Sequence, residues 1–412
     1  FADANTSVID HRDNGVLNDS EIDFVQRFCA IGRARYDYAD TKRGPAPRPA
    51  KVSAQQKLER PMDAPKSAIS VVPLAKIPTV RVVVELGAAE QYARKAPTRV
   101  HYGDTAAEAY RGQYKKLRGK LPRQSVFELP SVIVQGKGKM LVGDAFVGDN
   151  FEGAPVVGVL EGLRLKPVRT LDRPTLYTTR SGVLNYTHCL TNIVPRIVEA
   201  SRAIPDCDIA LHPRFVPAAR EALGLLGVDC GRLVDLDEQP TQLTHGLFVS
   251  PCSVYPLVHS PRALQLVRGL VDSLVDSAGC SSMPTKLFVT DDDTTTQRIT
   301  NHVEVASFLI ERGYTPVEVG ALDLAMQVRT FAHASEVVGI AGVAMTNTIF
   351  CATGTRITVL APSSMPAYYY WDIASQSNHD FRIGYFPGQT TARPILSNFT
   401  VDLDALASLL LA

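Results

Sequence analysis

Two glycines that interrupt an apolar segment in the C-terminal part of the chain could hold a phosphate. The β-branched run 336–340 is typical of a strand, Gly339 and Gly342 allow a tight turn, and the residues that follow favour a helix. Thr346 and Asn347 lie in the first turns of that helix, where their side chains would bond a phosphate or cap the helix. The N–H groups at a helix start attract phosphate. The alternative is a tight turn in an α/β fold that binds no ligand.

His188 and Arg298 are the side chains best suited to proton transfer and phosphate binding. An imidazole titrates near neutral pH and can take a proton from a hydroxyl group. Asn192 follows one predicted helical turn after His188, so both side chains would share a face, and the amide would orient the imidazole or an acceptor. The planar guanidinium of Arg298 can bind two phosphate oxygens at once. The structural alternatives are a half-buried histidine and an arginine in a surface loop.

Metal and nicotinamide sites are less consistent with the sequence. Asp291, Asp292 and Asp293 could hold a metal ion beside a diphosphate, but three threonines follow them and a loop cap is the simpler interpretation. The glycine turn lacks the G-x-G-x-x-G spacing of dinucleotide sites, since Ala341 and Ala344 stand where glycines are required. We therefore expect neither a metal ion nor a nicotinamide cofactor.

The elements that must position these residues alternate between strand and helix twice along the chain, which predicts two doubly wound α/β domains. The predicted strands are 69–72, 80–85, 131–134, 139–142, 209–212, 247–250, 286–290, 315–319, 336–340 and 356–361, and the predicted helices are 110–120, 185–203, 217–226, 262–277, 302–312, 323–334 and 402–411. The last helix places Leu403, Leu406, Leu409 and Leu410 on one face, the pattern of a helix that packs on a partner.

Composition bounds the class of protein and its domains. A chain of 412 residues is too long for one ordinary core, and 45% hydrophobic and 21% charged residues are normal for a globular protein. A formal charge of +1 gives no general attraction to nucleic acid. Residues 1–70 include a proline-rich, basic stretch that resists packing and predict an extended arm or linker. The predicted domains are then 71–262 and 263–395, followed by the helical segment 396–412.

The predicted helix 110–120 carries five basic residues, namely Arg111, Lys115, Lys116, Arg118 and Lys120. A solvated helix face is the simpler interpretation. The functional one is contact with a phosphate-bearing acceptor or a membrane surface. The chain has no apolar run near the length of a membrane span. We expect a cytoplasmic protein that is peripheral to a membrane through this stretch, or a Golgi or ER lumen protein if the source is eukaryotic.

Several segments in a fixed order resemble glycosyltransferase family 61, a family of polysaccharide, O-GlcNAc and xylosyl transferases. They are Lys-Leu-Phe-Val-Thr at 286–290, the segment 297–301 with Arg298 and Asn301, the helix with Gln327, the glycine unit 339–350, and Asn-Tyr-Thr-His at 185–188. The resemblance spans about residues 126–390. It implies a GT-B-like architecture, with two Rossmann-like doubly wound domains facing a central cleft, acceptor in the first domain and nucleotide-sugar in the second. It also implies that the last helix returns to the N-terminal domain.

The resemblance further implies an inverting transfer from a nucleotide-sugar, expected to be UDP-linked, to a glycan or glycoprotein acceptor. His188 and Asn192 would be catalytic. The donor would be bound by Thr290, Arg298, Asn301, Gln327, Gly342, Thr346 and Asn347. Asp291, Ala341 and Asn192 stand where the family has Arg, His and Asp. These departures leave open a second interpretation, a catalytically silent relative that binds a glycan or acts as a scaffold.

Overall fold

The structure is a computed structural model that describes residues 70–136, 138–147, 167–179, 183–254, 258–275, 283–290, 298–389 and 397–411. Nearly all of the predicted N-terminal extension lies outside the described residues, and so does the acidic run Asp291–Asp293.

The strands are numbered in chain order. They are β1 Ser70–Val72, β2 Arg81–Gly87, β3 Gln91–Ala93, β4 Arg99–Tyr102, β5 Arg118–Lys120, β6 Gln124–Gln135, β7 Lys139–Val142, β8 Ala145–Val147, β9 Arg169–Leu171, β10 Thr175–Tyr177, β11 Asp208–Leu211, β12 Leu233–Asp235, β13 Thr241–Val249, β14 Ser253–Val254, β15 Val258–His259, β16 Lys286–Thr290, β17 Thr315–Glu318, β18 Glu336–Ile340, β19 Arg356–Pro362 and β20 Asp380–Phe386.

The α-helices are α1 Thr105–Glu108, α2 Tyr186–His188, α3 Val194–Ala203, α4 Pro217–Leu225, α5 Pro261–Leu274, α6 His302–Ile310, α7 Leu324–His333, α8 Tyr368–Gln376 and α9 Leu403–Leu410. A π-helical turn, Cys189–Ile193, joins α2 to α3. Short 3₁₀-helices cover Leu74–Lys76, Ala109–Lys115, Cys230–Arg232, Val319–Ala321 and Val343–Phe350.

The larger sheet has ten strands and mixed direction. Its order is β1-β8-β7-β6-β13-β10-β11-β12, with β2 on β6 and β9 on β13. Strands β10 to β13 are parallel where they pair with one another, whereas β6, β7 and β8 form an antiparallel meander. The doubly wound prediction is therefore wrong for the meander. The connections there turn at Gly138 and Gly143, both with positive φ, and are too short for a crossover helix.

The second sheet is entirely parallel and has the order β17-β16-β18-β19-β20-β4. Its first five strands follow the doubly wound order 2-1-3-4-5, whose switch point lies between β16 and β18. The α/β class is thus confirmed. Strand β4 comes from the segment predicted as the N-terminal domain, yet it pairs with β20.

The two sheets share one core. The largest buried cluster includes Leu176 and Leu247 of the first sheet and Leu287 and Val337 of the second, together with side chains of α3, α5 and α7. A second cluster covers the other face of the first sheet. A third lies between the second sheet and helices α6 and α9.

Helix α9 is amphipathic as predicted, with Leu406 and Leu409 buried. The sequence predicts that it returns to the N-terminal domain, but it packs on β20 and β4 of the second sheet. Arg382 on β20 donates to the carbonyl of Leu409 at 2.8 Å, and Arg99 on β4 donates to the carbonyl of Ser408 at 3.1 Å. Only β4 belongs to the predicted N-terminal segment.

The predicted basic helix 110–120 is not one helix. A 3₁₀-helix ends at Lys115, and residues 118–120 form strand β5, which pairs with β3. Gly112 and Gly119 both disfavour a continuous helix.

Candidate functional site

Arg298, the predicted phosphate-binding residue, contacts the segment at the carboxyl end of β18, the neighbour of β16. Open parallel sheets bind ligands outside this edge, at the point where the strand order reverses. Arg298 Nη2 donates to the carbonyl of Ala341, directly after β18, at 2.8 Å. The Arg298 residue is 8% exposed, so its guanidinium is held in place against the glycine turn. The structure thus brings these two segments together, and the phosphate-binding role of Arg298 stays a prediction.

Thr290 ends β16, and its hydroxyl donates to the carbonyl of Val317 on β17 at 3.3 Å. Asn301 contacts the C-terminal segment, since its amide donates to Val401 O at 2.9 Å and accepts from Val401 N at 3.0 Å. Gln327 donates to the carbonyl of Leu322 at 2.9 Å. These contacts attach the three side chains to backbone groups around the second sheet. The donor-binding roles of the three residues stay predictions.

The two glycines of the turn have different roles. An added Cβ at Gly339 would lie 2.4 Å from Met345 Sδ and 2.9 Å from Val289 Cβ, so the strand needs glycine to pack. Gly342 has φ −158°, which any residue adopts, and its carbonyl accepts from Tyr370 Oη at 3.0 Å. The backbone conformation of Gly342 therefore does not require glycine. The helix that follows is a 3₁₀-helix, with Val343 and Ala344 partly exposed at its start.

Thr346 and Asn347 are fully buried and join this 3₁₀-helix to α2. Thr346 Oγ1 lies 2.7 Å from Thr187 Oγ1, and Asn347 Oδ1 accepts from Tyr186 Oη at 2.8 Å. Neither side chain caps the helix, so the capping alternative is wrong. Burial raises the pKa of the Tyr186 hydroxyl, which keeps it protonated and able to donate. A donor-binding role for Thr346 and Asn347 stays a prediction.

His188 is half-buried at the end of α2, next to the Thr187 contact with the 3₁₀-helix. The π-helical turn Cys189–Ile193 follows His188 and contains Asn192. Asn192 Nδ2 donates to Ser253 Oγ at 2.7 Å, and its Oδ1 accepts from Arg196 at 3.3 Å. The amide of Asn192 therefore orients Arg196 and Ser253. Such π-bulges are frequent at functional sites.

Helix α8 contacts both the glycine turn and the π-helical turn. Tyr370 donates to Gly342 O at 3.0 Å, and Tyr369 donates to Thr191 Oγ1 at 3.3 Å. The aromatic run 368–371 is buried, so its members pack in the core. Burial raises the pKa of Tyr369.

The sequence did not predict a buried charged cluster that includes Asp372 of α8. Asp372 Oδ2 accepts from both the backbone N–H and Nδ1 of His259 at 2.8 Å, and Asp372 Oδ1 lies 3.4 Å from Arg94. All three side chains are almost fully buried. The Arg94 guanidinium also stacks 4.4 Å from the Trp371 ring. These residues are far apart in the chain, and no local pattern signals the cluster.

Within the described ranges, His, Cys, Asp and Glu side chains nowhere converge in a group of three that could hold a metal ion. The helices of the same ranges are all too short or too polar to cross a bilayer.

Residues 186–358 match the model of a protein family described as Glycosyltransferase 61. A search of curated proteins gave no match. The family match confirms the resemblance predicted from the sequence and indicates glycosyltransferase activity in general, with donor and acceptor substrates. It covers α2, the switch point and the 3₁₀-helix 343–350, the segments that the structure brings together.

Proposed function

We propose that this protein transfers a sugar from a nucleotide-sugar donor to a hydroxyl group of a glycan or glycoprotein, with inversion at the anomeric carbon. The observation that carries the proposal is the 2.8 Å contact between Arg298 Nη2 and Ala341 O, because it fixes a cation at the switch point of a parallel sheet. The match to a glycosyltransferase family over the same residues supports it.

The leaving diphosphate would bind at the carboxyl edge of β16 and β18. Arg298 would neutralise its developing charge, and the partly exposed start of the 3₁₀-helix at Val343 and Ala344 would add N–H donors. A UDP-linked donor and transfer without a metal ion are part of this proposal. So is a GT-B-like division in which the second sheet binds the donor and the first contributes the acceptor side.

The acceptor hydroxyl would lose its proton to His188. As its oxygen attacks the anomeric carbon, the bond from that carbon to the diphosphate oxygen breaks, and the diphosphate leaves with the bonding electrons. The position of His188 supports this role, because the neighbouring Thr187 contacts Thr346 in the 3₁₀-helix at 2.7 Å. Asn192 would act only indirectly, through Arg196 and Ser253.

A silent relative that binds a glycan or acts as a scaffold is the second candidate. The observation that favours it is Asn192, which stands at the position of a family acid and has its amide bonded to Arg196 and Ser253. Such a protein would bind sugars without cleaving a nucleotide-sugar.

Thermal-shift measurements with a panel of nucleoside mono- and diphosphates separate the two candidates. The transferase should be stabilised by one nucleotide. Arg298→Ala should lower the affinity for that nucleotide by about 10-fold to 100-fold, as expected for a lost charged hydrogen bond. Arg298→Lys should recover only part of that affinity. Arg312→Ala, an exposed arginine after α6, is the matched control and should bind normally. No thermal shift with any nucleotide of the panel would contradict the proposed donor site. Equal nucleotide affinity in Arg298→Ala and the parent would contradict it as well.

A further inference from the structure

The ribbon formed by β3 and β5 presents a strongly basic face to solvent. Its register pairs Gln91 with Lys120 and Ala93 with Arg118. The backbone N–H of Arg94 donates to Leu117 O at 2.6 Å, which continues the pairing toward Lys95 and Lys116. We call the face made by the six outward residues 91, 93, 95, 116, 118 and 120 the basic ribbon. All six are exposed, four are basic and none is acidic.

The alternation of the two strands produces this face. Successive side chains of a strand point to opposite sides, so Arg118 and Lys120 lie on one side of β5 with about 7 Å between them. Gly119 lies between them, and Lys116 is exposed just before the strand. These charges are therefore carried by a strand and differ from the solvated helix face that the sequence suggested.

The ribbon is held firmly to the body of the protein. Trp371 Nε1 donates to the carbonyl of Lys95 at 2.7 Å, and Arg94 is buried against the Trp371 ring. Leu121 N donates to Glu90 O at 2.8 Å at the other end of the ribbon. The charges therefore have a fixed platform beneath them.

Nearby carboxylates are bound elsewhere. Glu90 accepts from Ser260 Oγ at 2.6 Å and from the backbone N–H of Arg262 at 3.1 Å. Glu108 is paired with Arg111. Four basic side chains with no acid among the six residues of the face favour an anionic partner.

We propose that the basic ribbon docks the protein on an anionic lipid surface. The face is a flat two-stranded ribbon, and its two uncharged members, Gln91 and Ala93, provide neither an aromatic platform nor an apolar wedge. This chemistry fits a plane of negative headgroups and adsorption by charge, with little insertion. The inference does not depend on the proposed glycosyl transfer.

Co-sedimentation of the full chain with vesicles tests the proposal. Vesicles of phosphatidylcholine with phosphatidylserine should bind the protein at low salt, vesicles of phosphatidylcholine alone should not, and added salt should release it. Arg118→Gln/Lys120→Gln should lower the partition coefficient by about 10-fold to 30-fold. The control Lys76→Gln/Arg81→Gln removes the same charge from exposed positions elsewhere and should bind as the parent does.

A thermal melt of each variant checks that it is folded, and Lys95→Gln/Lys116→Gln provides a second pair at the other end of the ribbon. Equal loss of binding in the control and ribbon variants would overturn the proposal, since a general charge effect would then explain adsorption. Tighter binding to soluble polygalacturonate than to the anionic vesicles, lost in the same ribbon variants, would also overturn it and assign the face to an acidic polysaccharide.

Discussion

The Tyr186 hydroxyl donates to Asn347 Oδ1 at 2.8 Å and joins two segments that lie 161 positions apart in the chain. The adjacent pair, Thr187 and Thr346, adds a second contact at 2.7 Å. One partner in each pair precedes His188, and the other follows the glycine turn. The relation between the proposed base and the proposed phosphate site is therefore set by direct bonds between their own segments.

A double-mutant cycle measures this connection. Tyr186→Phe removes the donor and leaves the buried amide oxygen of Asn347 without it, which should cost about 1–3 kcal/mol of unfolding free energy. Urea denaturation of Tyr186→Phe, Asn347→Ala and the double variant should give a coupling energy of about 1 kcal/mol. Simple additivity of the two single losses would show that the contact contributes nothing.

Replacing His188 tests the proposed base. His188→Ala should lower turnover roughly 10²–10⁴-fold with nucleotide affinity little changed, because a lost base affects the chemical step. Turnover of the parent should decrease at acid pH, since a protonated imidazole cannot accept a proton. His188→Asn keeps much of the shape without the basicity and should be nearly as inactive. If His188→Asn keeps most of its activity, the histidine is structural and Asp144, Asp149 and Glu152 are the next candidates, the last two outside the described residues.

Sequence patterns predict strands β16 to β19 of the second sheet but not β20 or β4. Strands 139–142, 286–290 and 336–340 were predicted at their observed bounds, because short β-branched runs flanked by turn residues are typical of buried strands. The partner of β4 could not be predicted, since no local signal in 99–102 indicates that it pairs with β20. The helix predicted for 110–120 is interrupted by Gly112 and Gly119, and a 3₁₀-helix and a strand form instead.

The candidate site was predictable only in part, because contacts between distant segments leave no local signal in the sequence. Motif order pointed to Arg298 and the glycine turn, and the structure places them in contact. The same motifs could not show that Thr346 and Asn347 are buried, because burial depends on α2, more than 150 residues earlier. The Asp372–His259 pair, 113 residues apart, has no local pattern at all.

The buried cluster around Asp372 should matter for stability. Asp372→Asn removes the negative charge between Arg94 and His259, and loss of one partner from a buried ion pair costs about 3–5 kcal/mol. Chemical denaturation should show a much lower midpoint. The control Glu108→Gln breaks an exposed ion pair with Arg111 and should leave the midpoint almost unchanged. Similar midpoints for the two variants would mean that the cluster adds little.

Stability should fall in mild acid because of His379. Burial, together with the nearby Arg268, lowers the pKa of His379 to about 4, and Nε2 donates to Thr348 O at 3.1 Å. An unfolded histidine has a pKa of about 6.5, so between these values the unfolded chain binds more protons and stability is lost as pH falls from about 6.5 to about 4. The full loss is on the order of 3 kcal/mol. His379→Gln should reduce the pH dependence of the unfolding free energy in this window, and an unchanged slope would contradict the assignment.

Two Gly→Ala substitutions with opposite expected signs test the packing beneath the turn. At Gly339 a Cβ would approach Met345 Sδ to 2.4 Å and Val289 Cβ to 2.9 Å, so Gly339→Ala must shift β18 or the 3₁₀-helix and should cost about 1–3 kcal/mol. Gly269 lies inside α5, where the nearest side-chain atom, Leu226 Cδ2, is 3.9 Å from an added Cβ. Gly269→Ala should therefore stabilise the protein by about 0.5–1 kcal/mol through helix propensity.

Thermal and urea unfolding of both variants, with nucleotide binding measured on each, completes the test. Gly339→Ala should also weaken nucleotide binding, since the displaced strand leads into the Ala341 carbonyl that orients Arg298. Gly269→Ala should bind normally, because α5 does not carry the turn. A Gly339→Ala protein that is as stable as the parent and binds nucleotide equally well would show that the β18 turn can move without disturbing the Arg298 contact, and the proposed phosphate site would lose its rigid support.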